Sequence, residues 1–177
     1  MRRFLDRLYF FSGAFAALCL AAVCVMMLAQ AAGREAGILI RGAEDITAWL
    51  TAASAFFALG HTFRNGELVR VGLWLDMLGA RNRWLAEIFS LGVTVLFSGY
   101  MLWSVARFVY ESWRFNEVAQ GLLRVPIWIP QMSLVIGVLI FLVTVIDEMV
   151  VVLQKKKPAY QVAEEARRAA GDFSETV

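Results

Sequence analysis

The chain has 177 residues, 60% of them apolar even before its 13 glycines are counted, 18% charged, and a net charge of +2. Soluble domains run about 45–50% apolar and about 25% charged, and a compact domain of this size could not hide the surplus. An ordinary globular enzyme and a disordered chain are excluded, and so is a nucleic-acid module, since there is no basic field. An integral membrane protein remains.

Four charge-free stretches follow in order, 8–32, 46–63, 88–106 and 125–146. About 20 helical residues cross a hydrocarbon core of about 30 Å. Backbone groups in lipid must be satisfied internally, so each stretch is read as a helix. With their helical continuations the spans are expected at about 8–32, 46–63, 86–110 and 128–153, within a membrane domain over 1–154 followed by a cytoplasmic tail over 155–177. Arg2, Arg3 and Arg7 before the first span, and Ala29-Gln30-Ala31 within it, resemble a signal peptide. Its apolar run exceeds the about 7–15 residues of such a peptide's core, so the helix is expected to be retained. Cys19 and Cys24 lie on different faces of that helix and read as small hydrophobes, not a redox pair.

The connections carry the charge. Glu44-Asp45 open the second span, where carboxylates favour the helix dipole and can cap the first turn; contact with a soluble partner is the alternative. After the turn signal Asn65-Gly66, Leu68, Val71, Leu75 and Leu78 recur at helical spacing, interrupted by Arg70 and Asp76, with Gly79 as a stop. This stretch, 68–78, is too short to span and is expected as an interfacial helix along the cytoplasmic headgroups, or packed against a partner's helices. Beyond the third span, Arg107, Glu111 and Arg114 share one helix face and form exposed ion pairs. Pro126 and Pro130 then set an extended or broken entry into the fourth span. Asp147-Glu148 fall near its inner end, to pair with Arg64, Arg70, Arg81 or Arg83, or with another subunit. Lys155-Lys156-Lys157-Pro158 stop that helix, and the rest reads as a solvated tail.

With the N-terminus in the cytoplasm, twelve of the 17 Lys and Arg fall on the cytoplasmic side. The positive-inside rule therefore places both termini there. Trp49, Trp74, Trp84, Trp103, Trp113 and Trp128 sit near span ends, where an indole anchors at the headgroups. The fold class is all-α integral membrane: four transmembrane helices plus a cytoplasmic interfacial helix.

A transport or catalytic site in a membrane needs ionisable or unwound groups at mid-depth. No span has a charge at its centre, and Ser12, Thr51, Ser54, Thr94, Ser98 and Thr144 are the kind that bond to their own helix or to a neighbour. His61 is the single histidine, so a bis-histidine haem site is excluded. No catalytic set, metal-ligand set or cofactor is expected. The pattern fits a helper subunit. Two rivals stay open: a stand-alone four-helix transporter, which would need Glu44 or Asp147 deep in the membrane, and a quinone- or haem-linked membrane anchor.

Several runs resemble a known family. They are Glu44-Asp45; Gly60 through Arg64-Asn65-Gly66-Glu67; Val69-Arg70-Val71; and Trp84-Leu85. The last are Gly121-Leu122-Leu123-Arg124-Val125-Pro126-Ile127-Trp128-Ile129-Pro130-Gln131 and Gly137. In order and spacing, over roughly 8–153, the chain resembles the small, DctQ-like membrane subunit of tripartite ATP-independent periplasmic (TRAP) transporters. It departs at Leu68 and Gly72, where the family often has His and Asp, which leaves Arg64, Glu67 and Arg70 as the polar part of that motif. The resemblance implies a bacterial or archaeal inner-membrane location and a sodium-coupled organic-acid importer. A large multi-span permease subunit would hold the substrate and sodium sites, and a periplasmic binding protein would capture the substrate. The small subunit would steady the large one and help dock the binding protein. It further implies that Glu44, Asp45, Arg64, Glu67, Arg70, Pro126, Trp128 and Pro130 serve the subunit interface. Arg34, Glu35, Arg41, Glu111, Arg114, Glu117 and Arg124 are the candidates for meeting the binding protein. Membrane lipid is the remaining partner, and nucleic acid is not one.

Overall fold

The computed structural model describes residues 2–38, 40–65, 80–121, 123–154 and 158–162. Among these the architecture is all-helical: α1 (Arg2–Glu35), α2 (Ala43–Arg64), α3 (Ala80–Arg114) and α4 (Trp128–Leu153). All four are long and apolar enough to cross a membrane. The expected interfacial helix over 68–78 lies outside the described residues, as do Glu67 and Arg70.

The helices are longer than the charge-free stretches because charged ends stay helical where they reach the headgroups. Arg34 and Glu35 close α1, and Arg107, Glu111 and Arg114 belong to α3. At about 1.5 Å per residue, the 34 residues of α1 and 35 of α3 exceed a hydrocarbon core.

The four do not form a closed bundle. α1 packs on α2, α2 on α4, and α4 on α3, while α1 only grazes α4. The row therefore reads α1–α2–α4–α3, with α4 the most buried helix and α3 the least. α1 begins, α2 ends, α3 begins and α4 ends at one end of the row, called the near end below; the opposite end is the far end.

Each seam has its own device. Along α1–α2, Ser12 donates its hydroxyl to the Phe57 carbonyl at 2.6 Å, and the Phe15 and Phe57 rings meet edge to face at 4.7 Å. The His61 ring fills the notch left by Gly13, where a Cβ would come within 2.8 Å of it. Along α2–α4 the two parallel helices exchange glycines. A Cβ on Gly137 would lie 2.7 Å from Phe56 Cβ and 2.8 Å from its carbonyl, and one on Gly60 would lie 3.1 Å from Ile140 and Thr144. Small residues allow such approach where lipid supplies no hydrophobic drive for helix association. Along α3–α4, Trp84 donates its indole N–H to the Val152 carbonyl at 3.2 Å, and Leu91, Val145 and Val152 close a cluster with Phe63 of α2.

Candidate functional site

Two constellations gather the charged and motif residues, one at each end. At the near end, the Arg64 guanidinium lies over the Tyr9 ring, 4.8 Å from its centroid, joining α2 to α1. Glu148, expected near the inner interface to pair with an arginine or another subunit, is 2% exposed. Its carboxylate accepts the Ala159 N–H at 2.9 Å. The chain after α4 folds back to make that bond, so the expectation of a tail solvated from Lys155 onward fails over 158–162. Pro158 and Tyr160 are buried, the Tyr160 ring stands 6.3 Å from that of Phe63, and Gln161 donates to Glu87 at 2.6 Å. Ala159, Tyr160 and Gln161 thus touch α4, α2 and α3 in turn. A buried carboxylate is tolerated where hydrogen bonds replace its water.

At the far end, Gly42 is the N-cap of α2, with φ 79, and no side chain caps the helix. The expected carboxylate cap does not form. Asp45 turns aside to touch Gly121 on the α3–α4 connection, and Leu123 covers Gly42, so each glycine is where a side chain would collide. The connection is drawn into a short antiparallel turn. Val118 bridges Pro126, Ala119 N–H donates to Val125 at 2.9 Å, and Ile127 N–H to Glu117 at 3.0 Å. Pro126 thus takes the extended geometry its sequence implied. Trp128 begins α4, half-buried, and the carbonyl of Pro130 accepts the Ser133 hydroxyl at 2.7 Å.

The outer charged residues divide into groups. Arg107 and Glu111 pair at 2.9 Å, as their spacing predicted, and Arg114 lies over the Phe115 ring at 6.0 Å. Glu117 accepts the buried Ser112 hydroxyl at 2.9 Å, which ties it to the end of α3. Glu35 and Arg124 are exposed. Arg34, Arg41, Glu44 and Asp45 line one cavity of about 260 Å³ with Gln30, Ile38, Ile40, Gly42 and Gly121. The role of Tyr9 and that of Tyr160 had no sequence signal, because both depend on contacts across the fold.

Of the in-span hydroxyls, Thr51, Ser54, Thr94, Ser98 and Thr144 bond back to their own helix, and Ser12 alone of those named bonds across a seam. Among the described residues no cluster of His, Cys, Asp or Glu could hold a metal ion.

A row of four helices able to span a membrane, with the charged groups among the described residues gathered at its two ends, defines a multi-pass membrane subunit whose contacts position helices. The sequence model of the DctQ component of tripartite ATP-independent periplasmic transporters matches residues 23–155, and the chain belongs to that family. It is therefore a small membrane subunit of a TRAP-type transporter in the inner membrane; the family is a transporter component and not an enzyme family. No curated protein and no solved structure matches the chain.

Proposed function

We propose that the chain is the static scaffold subunit of a sodium-coupled organic-acid importer. Substrate and sodium are handled by a large permease subunit, and the outer loops help dock a periplasmic binding protein. The near end faces the cytoplasm, in accord with the distribution of Lys and Arg.

The observation that carries this reading is the state of the helical glycines. Gly13, Gly60 and Gly137 are each filled by a neighbouring residue of the chain. Gly92 and Gly99 in α3 are not: a Cβ at either would meet nothing within 4 Å. They lie seven residues apart on the edge helix, which packs mainly on α4. Glycine inside a helix has no local advantage, and a foreign transmembrane helix approaching this face is what it would serve. Family membership supplies the occupant, the large subunit.

Coexpression with the large subunit and affinity capture tests both layers. Wild-type chain should retain the large subunit, and Gly99→Trp should lose it while remaining monodisperse. Normal retention by Gly99→Trp refutes the face; no large membrane protein captured by the wild type refutes the function.

A further inference from the structure

The far-end cavity contains an arrangement that subunit packing does not explain. Four charged side chains line it, two guanidinium groups (Arg34, Arg41) and two carboxylates (Glu44, Asp45). Among the described residues none of the four is in an ion pair, although opposite charges share one space of about 260 Å³. The first turn of α2 borders the same cavity through Gly42, Glu44 and Asp45, and it has no side-chain cap.

A simple anion would meet two carboxylates here, and a simple cation two guanidinium groups. A ligand bearing both signs a few bonds apart satisfies both sets. The apolar residues say where such a ligand comes from. Ile38 and Ile40, 65% and 42% exposed, stand on the short connection between the ends of the two apolar helices α1 and α2. Exposed isoleucines suit acyl chain and glycerol better than water.

We propose that this cavity is a binding site for the headgroup of a zwitterionic phospholipid of the phosphoethanolamine type. The phosphate lies on Arg34, Arg41 and the first turn of α2. The ammonium lies on Glu44 and Asp45, and the glycerol runs out over Ile38 and Ile40. The lipid thereby bridges the α1–α2 connection to the α3–α4 connection, which enters the cavity at Gly121.

Native mass spectrometry of the full chain in detergent, titrated separately with phosphatidylethanolamine and phosphatidylglycerol, tests this. A one-to-one phosphatidylethanolamine adduct should form about tenfold more tightly than a phosphatidylglycerol adduct, the equivalent of one hydrogen bond to a charged group. Arg41→Gln should weaken both adducts, Glu44→Gln should abolish the preference, and Arg107→Gln, outside the cavity, should change neither. Equal binding of the two lipids by wild type overturns the zwitterionic site in favour of a plain anion site. Adducts untouched by Arg41→Gln and Glu44→Gln overturn the site altogether. A phosphatidylethanolamine carrying a photoreactive headgroup needs no variant. Its label should map to 30–45 or to Gly121; labelling elsewhere, or its loss on adding the soluble binding protein without lipid competition, overturns the proposal.

Discussion

Substituting Gly137 measures how tightly the central seam is drawn. Alanine there places a Cβ 2.7 Å from Phe56 Cβ and 2.8 Å from the Phe56 carbonyl carbon and oxygen. Carbon atoms in good contact stand about 3.5–4.0 Å apart, so α2 and α4 must separate by close to 1 Å at this point. The obstructing atoms are mostly backbone and cannot rotate away. Overpacking of this kind costs about 1–3 kcal/mol. The usual gain of about 1 kcal/mol from replacing a helical glycine largely cancels, because spanning segments remain helical after they part. Gly99→Ala is the matched control, since its Cβ meets nothing within 4 Å. It should fall within about 0.5 kcal/mol of wild type. Unfolding of the isolated chain in mixed micelles by increasing SDS, followed by tryptophan fluorescence, should show Gly137→Ala unfolding earlier and Gly99→Ala unchanged. Coincident curves for the two variants would refute the close-approach argument.

Three further outcomes follow from the contacts. Tyr160→Ala removes a buried ring from the returning segment and should cost about 3 kcal/mol, read as faster proteolysis at the C-terminal side of α4. Ser12→Ala deletes a cross-seam hydrogen bond to Phe57; bonds of this kind in membranes average about 0.6 kcal/mol, so its SDS midpoint should shift slightly and in the destabilising direction. Arg107→Gln breaks an exposed i,i+4 ion pair and should change stability by no more than about 0.5 kcal/mol, with no effect on the SDS midpoint.

The spans were legible because lipid leaves the backbone only one local solution, so a run of uncharged residues is enough to identify a helix. Their neighbours were not. In a row, one apolar face meets lipid and another meets a helix, and both select the same residue types, so no periodicity separates them. The exceptions are residues whose chemistry demands a neighbour. Gly60 and Gly137 stood out in the family pattern, and they mark the α2–α4 seam. Arg107 and Glu111 were predictable because their partner is four residues away. Glu148 was expected to meet an arginine or another subunit, and its bond with the Ala159 N–H was not foreseen because that partner is brought by a return of the chain that no local pattern encodes. Glu44-Asp45 misled as caps because Gly42 supplies the N-cap itself and the carboxylates face the cavity.

A row of helices is mechanically weaker than a bundle, since each seam has one line of contact and an edge helix can hinge about it. This chain counters that at both ends. At the near end, residues 158–162 reach Glu148 of α4, Phe63 of α2 and Glu87 of α3, so the edge helix is held by more than its own seam. At the far end, Asp45 against Gly121 and Leu123 over Gly42 tie the start of α2 to the connection between α3 and α4. The α1–α2 and α2–α4 seams between those fastenings are set by glycine contacts, and the α2–α4 seam resists sliding because a displaced helix meets backbone atoms. A plate pinned at both ends and toothed along two of its seams has little freedom to shear, which is what the proposed scaffold role would need. The open glycines of α3 then fall on an edge of the row, where such a plate has room for another helix.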